Sequence, residues 1–539
     1  MIKGIGPSYA EKLVDHFGTH VLEIIDQHPE RLNNVPGIGP KRLEKIIEAW
    51  KDQKEIAKIM VFLQDKGISA AYATKIYKKY GASSVAAVTE NPYRLAEDIW
   101  GIGFKTADQI AQNLGFEKES VQRIKAGILF AITSSIGNGH LYVILNELKE
   151  KTVELLELDA AQIEPTIKLA LHDLYNSDKI KLVTYNETHY ITLSQYYQTE
   201  KGVAQRIMRL LEYPPQYSFD LQQVYRSLSV EQSPTDVTLN EDQQKGIMAC
   251  LQNKVTIITG GPGTGKTTLI KKLLGVLDEH KLEYRLAAPT GRAAKRIIEG
   301  TGRFAQTVHR LLEFDFTTFT FTHNEQNALK TNFIIIDEAS MIDIFLASAI
   351  IKATPLTAHL IFIGDVDQLP SVGAGNFLND LIASNKVACI RLKTIFRQAQ
   401  DSMIIVNAHR INNGEFPTAT LPGAKRDFIF IKEDEPLTMP DHLRNIFLNG
   451  LRKFGIKPED AMVLVPMNRG TVGTQKINHD LQQLLNPEVT PKQVSSAGSV
   501  YKVGDRVMQI KNNYDKKVFN GDMINHNFVI AHKKLGGHY

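Results

Sequence analysis

Cysteine is nearly absent: Cys250 and Cys389 are the only two among 539 residues, far apart and outside any C-x-x-C pair. That excludes a disulfide framework and a cysteine-rich zinc site, and it fits a reducing cytoplasm, the localisation expected here. Long apolar runs are missing as well. No stretch reaches the roughly 18 residues that span a bilayer, and Met1-Ile2-Lys3-Gly4-Ile5-Gly6 lacks the apolar centre of an export signal. No charge of one sign dominates: a net charge of +4 allows a nucleic-acid partner without requiring one. Apolar residues are not scarce, and 43% hydrophobic with 23% charged residues excludes a disordered or collagen-like polymer. The length exceeds what one core can hold and predicts about three or four folded units.

What is present begins with a repeat. Gly4-Ile5-Gly6-Pro7 and Gly37-Ile38-Gly39-Pro40 each open a helical stretch, 33 residues apart, and Gly101-Ile102-Gly103-Phe104 opens another. A degenerate copy, Gly67-Ile68-Ser69, lies between them, so a unit of hairpin and helix recurs four times over residues 1–116. Glycine at both ends permits positive φ and close backbone approach, so N–H groups at a helix start can face a phosphate. This resembles the helix-hairpin-helix DNA-binding motif and makes Gly37, Gly39, Gly101 and Gly103 candidate DNA contacts. A plain tight turn between helices is the other reading of Gly-x-Gly. Over residues 1–116, 15 Lys/Arg nearly balance 14 Asp/Glu, so contact there would rest on backbone donors rather than on a basic field.

Residues 117–235 read as a winged-helix-like module and linker. Helical periodicity in Val121–Ile136 and Ile163–Tyr175 precedes two strand-like runs, Lys179–Thr184 and His189–Leu193. DNA contact and a spacer role are both open for this module. Pro214-Pro215 and the polar Ser227–Thr238 read as linker.

The most specific signal follows. The apolar Val255–Thr259 leads into Gly260-Gly261-Pro262-Gly263-Thr264-Gly265-Lys266-Thr267-Thr268 and then the helical Leu269–Leu277. Strand, G-x-x-x-x-G-K-T and helix together make a phosphate-binding loop in the context that motif requires. Its amides would wrap phosphates, Lys266 would reach the β and γ oxygens, and Thr267 would ligate Mg²⁺. A second apolar strand, Phe333–Ile336, ends in Asp337-Glu338, which gives Asp337 as the metal partner and Glu338 as the base for attacking water. A third, Leu360–Asp365, leads to Gln368, placed to report whether a γ-phosphate is present. A GTPase switch would need an Asn-Lys-x-Asp base reader. The nearest string, Asn385-Lys386-Val387-Ala388, ends in Ala and excludes that reading.

Together these residues resemble a superfamily 1 helicase. Leu239-Asn240-Glu241-Asp242-Gln243 resembles the adenine-reading motif, with Gln243 as its glutamine. Ala288-Pro289-Thr290-Gly291-Arg292-Ala293-Ala294 and Thr307-Val308-His309-Arg310-Leu311 resemble segments that hold single-stranded DNA, which assigns Pro289, Thr290, Arg292, Thr307 and His309 to DNA. Leu392–Gln398 resembles the motif whose arginine, here Arg397, crosses from the second motor domain to the γ-phosphate. Val463–Gly470, Gly504–Gln509 and Phe519–Asp522 match the RecD-like branch (subgroup B), and the repeated hairpins point to its members with an N-terminal extension.

The resemblance implies a multi-domain fold: an α-helical helix-hairpin-helix region, then α/β tandem RecA-like P-loop motor domains. Residues 236–390 would be the first motor domain, with a β-hairpin insertion near 314–331; residues 391–539 would be the second, incomplete, with the start of a small β-barrel insertion. It implies ATP and Mg²⁺ as cofactors and DNA, single-stranded and at single/double-strand junctions, as partner, with 5′→3′ movement. Phe314–Thr322, aromatics interleaved with Thr, resembles the pin that separates duplex strands, and a plain packed hairpin is equally open. The family's small N-terminal β domain is not found before Gly4, nor are the last two helicase motifs after Asp522. The expectation is therefore an interrupted chain that binds ATP and DNA but unwinds nothing. The leading reading of the resemblance is a DNA-dependent ATPase motor, a helicase or translocase on single-stranded DNA; the alternative is a DNA-binding protein with an incomplete, non-translocating motor, and the two differ in whether DNA stimulates ATP turnover.

Overall fold

The computed structural model describes residues 7–99, 101–229, 238–394, 402–419, 427–487, 493–496, 499–510 and 523–525, and the chain separates into two compact units, Met1–Gln198 and Thr199–Tyr539.

In the first unit the glycine hairpins open helices. Gly37 (φ 93°) and Gly39 lead into Pro40–Asp65, Gly67 (φ 75°) and Ser69 into Ala70–Tyr80, and Gly101 (φ 90°) and Gly103 into Phe104–Asn113. The copy at Gly4 and Gly6 lies outside the described residues. The isoleucine between the two turn residues is buried each time, at Ile38, Ile68 and Ile102. Ile38 joins a core of Leu13, Ile24, Leu32 and Ile46, so an apolar anchor fixes each hairpin and leaves its two turn residues toward the surface. The helix starts differ in one respect. Ser69 caps its own helix, its hydroxyl accepting the Tyr72 N–H at 3.4 Å, whereas Gly39 and Gly103 supply no side-chain cap.

Helices Val121–Gly137, Leu145–Leu156 and Ala160–Asn176 follow. With them stand strands β1 (Val143–Ile144), β2 (Ile180–Tyr185) and β3 (Thr188–Leu193), antiparallel in the order β1-β3-β2. Asn186 and Glu187, at φ 46° and 63°, form the two-residue turn whose handedness matches strand twist. Sequence periodicity misses β1 and helix Leu145–Leu156. A boundary at 116 is not a structural break either: Arg123 grips Asp108 through two bonds, Nε to Oδ1 at 2.8 Å and Nη2 to Oδ2 at 2.9 Å, and Nη1 donates to Leu156 O at 3.1 Å. Tyr93 and Gln112 complete the carboxylate's partners, so the buried pair is satisfied and ties the third hairpin helix to its successors.

The second unit is built on a parallel sheet. In chain order its strands are β4 (Val255–Thr259), β5 (Tyr284–Ala288) and β6 (Gln306–Thr307), then, after a small antiparallel hairpin of β7 (Phe314–Asp315) and β8 (Thr320–Phe321), β9 (Phe333–Ile336), β10 (His359–Gly364) and β11 (Ala388–Arg391). They stand in the order β11-β4-β10-β9-β5-β6, and every pairing is parallel. Each residue of β4, β9 and β10 is buried, because helices cover both faces; hence continuous apolar runs rather than alternation. Helix Leu221–Ser229 buries Val224 and Leu228 in this core. The linker reading of Ser227–Thr238 is thus corrected at its start: the polar run begins inside the last turn of an amphipathic helix.

Beyond β11 the described residues include helices Met403–Asn412, Met439–Asn445 and Thr474–Leu485 and two antiparallel pairs, β12 (Gln493–Ser496) with β13 (Ser499–Lys502) and β14 (Arg506–Met508) with β15 (Met523–Asn525). Val463–Val465, apolar enough for a strand, has no regular structure here.

One buried group makes the second unit acid-sensitive. His359 is fully buried at the start of β10, stacked on Phe333 with ring centroids 4.5 Å apart. Its Nδ1–H donates to Asn253 O at 2.9 Å, and its Nε2 has no partner among the described residues. Burial, reinforced by nearby Lys254, lowers its pKa to about 4. A histidine that must stay neutral when folded binds a proton more readily when unfolded, so its contribution is full above about pH 6.5 and is lost as pH falls toward 4. The expected loss by pH 4.5 is on the order of 2 kcal/mol. Denaturant melts between pH 7.5 and 4.5 check this: His359→Phe, which keeps the stack, flattens the slope by about one proton, and an unchanged slope would exclude His359 as its source.

Candidate nucleotide and DNA site

All the strand ends that carry chemistry meet at one edge of the parallel sheet. The phosphate loop follows β4, Pro289 and Thr290 follow β5, Thr307 ends β6, Asp337 and Glu338 follow β9, and Asp365 to Gln368 follow β10. A parallel sheet makes this possible because every strand ends on the same side, where ligand crevices form.

In the loop, Gly263 and Gly265 adopt φ 76° and 79°, the left-handed turns that let successive N–H groups face inward ahead of helix Lys266–Glu279. Gly260 admits no side chain: a Cβ there would lie 2.7 Å from Thr264 Oγ1 and 2.9 Å from Leu392 Cβ. Thr264 Oγ1 donates to Gly261 O at 2.8 Å. The Lys266 ammonium rests on the loop itself, donating to Gly260 O at 2.5 Å and Gly261 O at 3.1 Å. Pro262, Thr267 and Thr268 complete the loop and the first turn of its helix.

Asp337 sits two strands from the loop strand, with β10 between. Burial raises its pKa to about 6; the Glu338 N–H, which donates to its Oδ1 at 2.9 Å, and the Lys266 charge oppose the rise, while the Glu338 charge adds to it. Glu338 has φ 53° and ψ 40°, a left-handed conformation costing a non-glycine residue on the order of 1 kcal/mol. The chain therefore turns sharply between the two acids. Gln368 is exposed, its amide donating weakly to Asp365 Oδ2 at 3.4 Å.

Family profiles agree with this arrangement. Residues 1–52 match a SAM-like helix-hairpin-helix tandem, 52–142 the ATP-dependent RecD2 DNA helicase HHH domain, 243–374 an AAA domain and 477–523 the ATP-dependent RecD-like DNA helicase SH3 domain. The chain is 30% identical to the ATP-dependent RecD2 DNA helicase of Deinococcus radiodurans over 529 residues, covering 97% of this chain and 71% of that protein. It belongs to the RecD2 DNA helicase family. The chain is also 30% identical to the RecBCD enzyme subunit RecD of Mycolicibacterium smegmatis, over 52% of its own length and 56% of that subunit's. Among solved structures, Candida albicans Pif1 helicase aligns at 23% identity and a TM-score of 0.30 over 53% of this chain and 68% of that one.

As a RecD2-type enzyme the chain is an ATP-dependent DNA helicase with a helix-hairpin-helix region ahead of an AAA/RecA-like motor domain. The predicted site residues then fall into three groups. Lys266, Thr267, Asp337, Glu338 and Gln368 share the sheet edge. Thr290 and Thr307, proposed for DNA, are helix caps, each hydroxyl accepting an N–H, from Ala293 at 3.2 Å and from Arg310 at 3.3 Å; Arg292 is exposed beside the first. The His309 ring packs against Phe314 and Phe321 at the base of the β7–β8 hairpin, with centroids 5.5 and 5.6 Å away, and burial lowers its pKa.

Gln243 and Arg397 stand apart from these three groups. Gln243 is fully buried, with both polar ends of its side chain engaged: Oε1 accepts the Asn240 N–H at 3.0 Å and Nε2 donates to Gly265 O at 3.1 Å. Here it clamps the end of the phosphate loop to helix Glu241–Gln252, because Asn240 and Gln243 form a reciprocal capping box. Arg397, like Phe519–Asp522, lies outside the described residues. Sequence reasoning also passed over His409 on helix Met403–Asn412, which lies against Gly261; no short motif marks it, since only the fold brings it to the loop.

Proposed function

We propose that this chain hydrolyses ATP with Mg²⁺ to move 5′→3′ along single-stranded DNA and to open duplex at single/double-strand junctions in the cytoplasm. The observation that carries this reading is the shared sheet edge, where the phosphate loop, the acid pair and the capping threonines Thr290 and Thr307 terminate strands of one parallel sheet. The strand that carries the acid pair, β9, pairs directly with β5, so movement at the acids on nucleotide binding reaches the segment after β5 that is assigned to DNA.

In this mechanism the loop amides and the start of helix Lys266–Glu279 receive the phosphates. Lys266 exchanges its carbonyl partners for β and γ oxygens. Glu338 accepts a proton from the attacking water, and Gln368 senses the terminal phosphate. Arg397 supplies positive charge to the transferring phosphoryl group. Thr267 and Asp337 offer hard oxygen donors only, a hydroxyl and a carboxylate, which suit Mg²⁺; bound there, the ion would offset phosphate charge. At the junction, Phe316 and Phe319 at the hairpin tip, 62% and 76% exposed, provide faces on which an unpaired base can stack.

The test is ATP hydrolysis with and without single-stranded DNA, followed by strand displacement on duplexes carrying a 5′ or a 3′ tail. The expected result is DNA-stimulated turnover and displacement from the 5′ tail alone, which would overturn the expectation of an interrupted chain that unwinds nothing; stimulated turnover without displacement from either tail would bear that expectation out. Turnover indifferent to DNA would favour the DNA-binding protein with a non-translocating motor, and displacement from the 3′ tail would reverse the polarity.

A further inference from the structure

Helix Met403–Asn412 brings His409 to the phosphate loop. A Cβ placed on Gly261 would meet His409 Cε1 at 3.1 Å and Nε2 at 3.6 Å, so the imidazole lies in van der Waals range of the loop backbone, and glycine at 261 is what lets it approach. Its Nε2 is sealed from solvent and has no hydrogen-bond partner among the described residues. A buried imidazole nitrogen left unpaired costs free energy, and this one, unlike that of His359 inside the sheet core, lies against the loop that receives phosphates. The end of the loop it faces is identifiable. Lys266 Nζ, whose ordinary role is to reach the β and γ oxygens, rests on the carbonyls of Gly260 and Gly261. The peptide against which His409 packs is therefore the one beside the terminal phosphate.

We propose that His409 is a terminal-phosphate contact: with ATP bound, its Nε2–H donates to a γ-phosphoryl oxygen, and with ADP that bond is lost. The inference rests on ATP being the nucleotide held at this loop. It gives helix Met403–Asn412 a direct means of distinguishing triphosphate from diphosphate, separate from Gln368, which approaches from the β10 side. A hydrogen bond to a charged oxygen would tighten the triphosphate about tenfold or more relative to the variant lacking it.

The experiment uses the whole chain and measures affinity for fluorescent ADP and for a fluorescent non-hydrolysable ATP analogue. His409→Ala is expected to bind ADP like the unaltered chain and the triphosphate about tenfold more weakly; His409→Asn, which keeps a side-chain N–H, should recover part of the difference. Equal weakening toward both nucleotides would overturn the proposal in favour of simple packing on the loop, and so would unchanged affinity for both. If His409→Ala does not fold, as judged by its melt, the smaller His409→Asn change carries the decision on the same ratio. Failure of the unaltered chain to bind either nucleotide would instead overturn the reading of the loop as an ATP site, and the His409 contact with it.

Discussion

Lys266→Ala is expected to abolish ATP turnover, lowering it by at least about a hundredfold, while DNA binding through the glycine hairpins stays close to that of the unaltered chain. The Lys266 ammonium is poised on Gly260 O and Gly261 O at the mouth of the loop, and nothing else on helix Lys266–Glu279 places a cation there: Lys271 and Lys272 lie more than a turn further on. Alanine keeps the helix, since it is the strongest helix former, so the loss is chemical rather than structural. The hairpins belong to the other compact unit, Met1–Gln198, and their proposed contacts involve backbone amides that Lys266 does not touch. Steady-state hydrolysis and DNA anisotropy on the same preparation check both halves. A parallel fall of turnover and DNA affinity in a variant that melts like the parent would sink the separation of the two sites.

How far the site could be read from sequence depends on how local the determining physics is. The phosphate loop is legible because its spacing dictates a turn: Gly263 and Gly265 must take positive φ, and the strand and helix flanking them begin within a residue or three of where periodicity puts them. β9 was legible to the residue, since a four-residue apolar run ending in two acids has few other homes. Residues whose role comes from distant partners were not legible. The motif that marks Gln243 says nothing of the bond its amide makes to Gly265, 22 positions away, and His409 meets Gly261 across nearly 150 residues of chain. Short elements were lost for another reason. β1 and β6 have two residues each, too few to show a period, and exist because a neighbouring strand is already there to pair with. Helix Leu221–Ser229 was masked by the serines at its end.

The hairpin glycines divide, on geometry, into two kinds, and their substitution should separate fold from DNA contact. Gly37 and Gly101, at φ 93° and 90°, sit where an L side chain is strained, and a Cβ on Gly101 would also approach Lys75 Nζ at 3.1 Å. Valine there should lower the melting temperature together with DNA affinity. Gly39 and Gly103 are different: φ is −96° and −88° with ψ near 174° and 173°, an extended conformation valine accepts readily, and a Cβ at either meets nothing within 4 Å. Their glycine identity is not demanded by the fold. What it leaves open is the approach to uncapped N–H groups at the starts of helices Pro40–Asp65 and Phe104–Asn113, the place a phosphate oxygen would occupy. Gly39→Val with Gly103→Val should therefore weaken DNA binding by roughly fivefold per hairpin, one backbone hydrogen bond each, without sequence preference and with a melt shifted only by the small change in helix capping. Ser69 offers the internal control. It already fills the equivalent place with its own hydroxyl, so Ser69→Val should leave DNA affinity unchanged. Anisotropy with the nucleotide-free whole chain reads all of these substitutions. If the double valine variant binds DNA as tightly as the parent, the hairpins are turns between helices and the contact lies elsewhere.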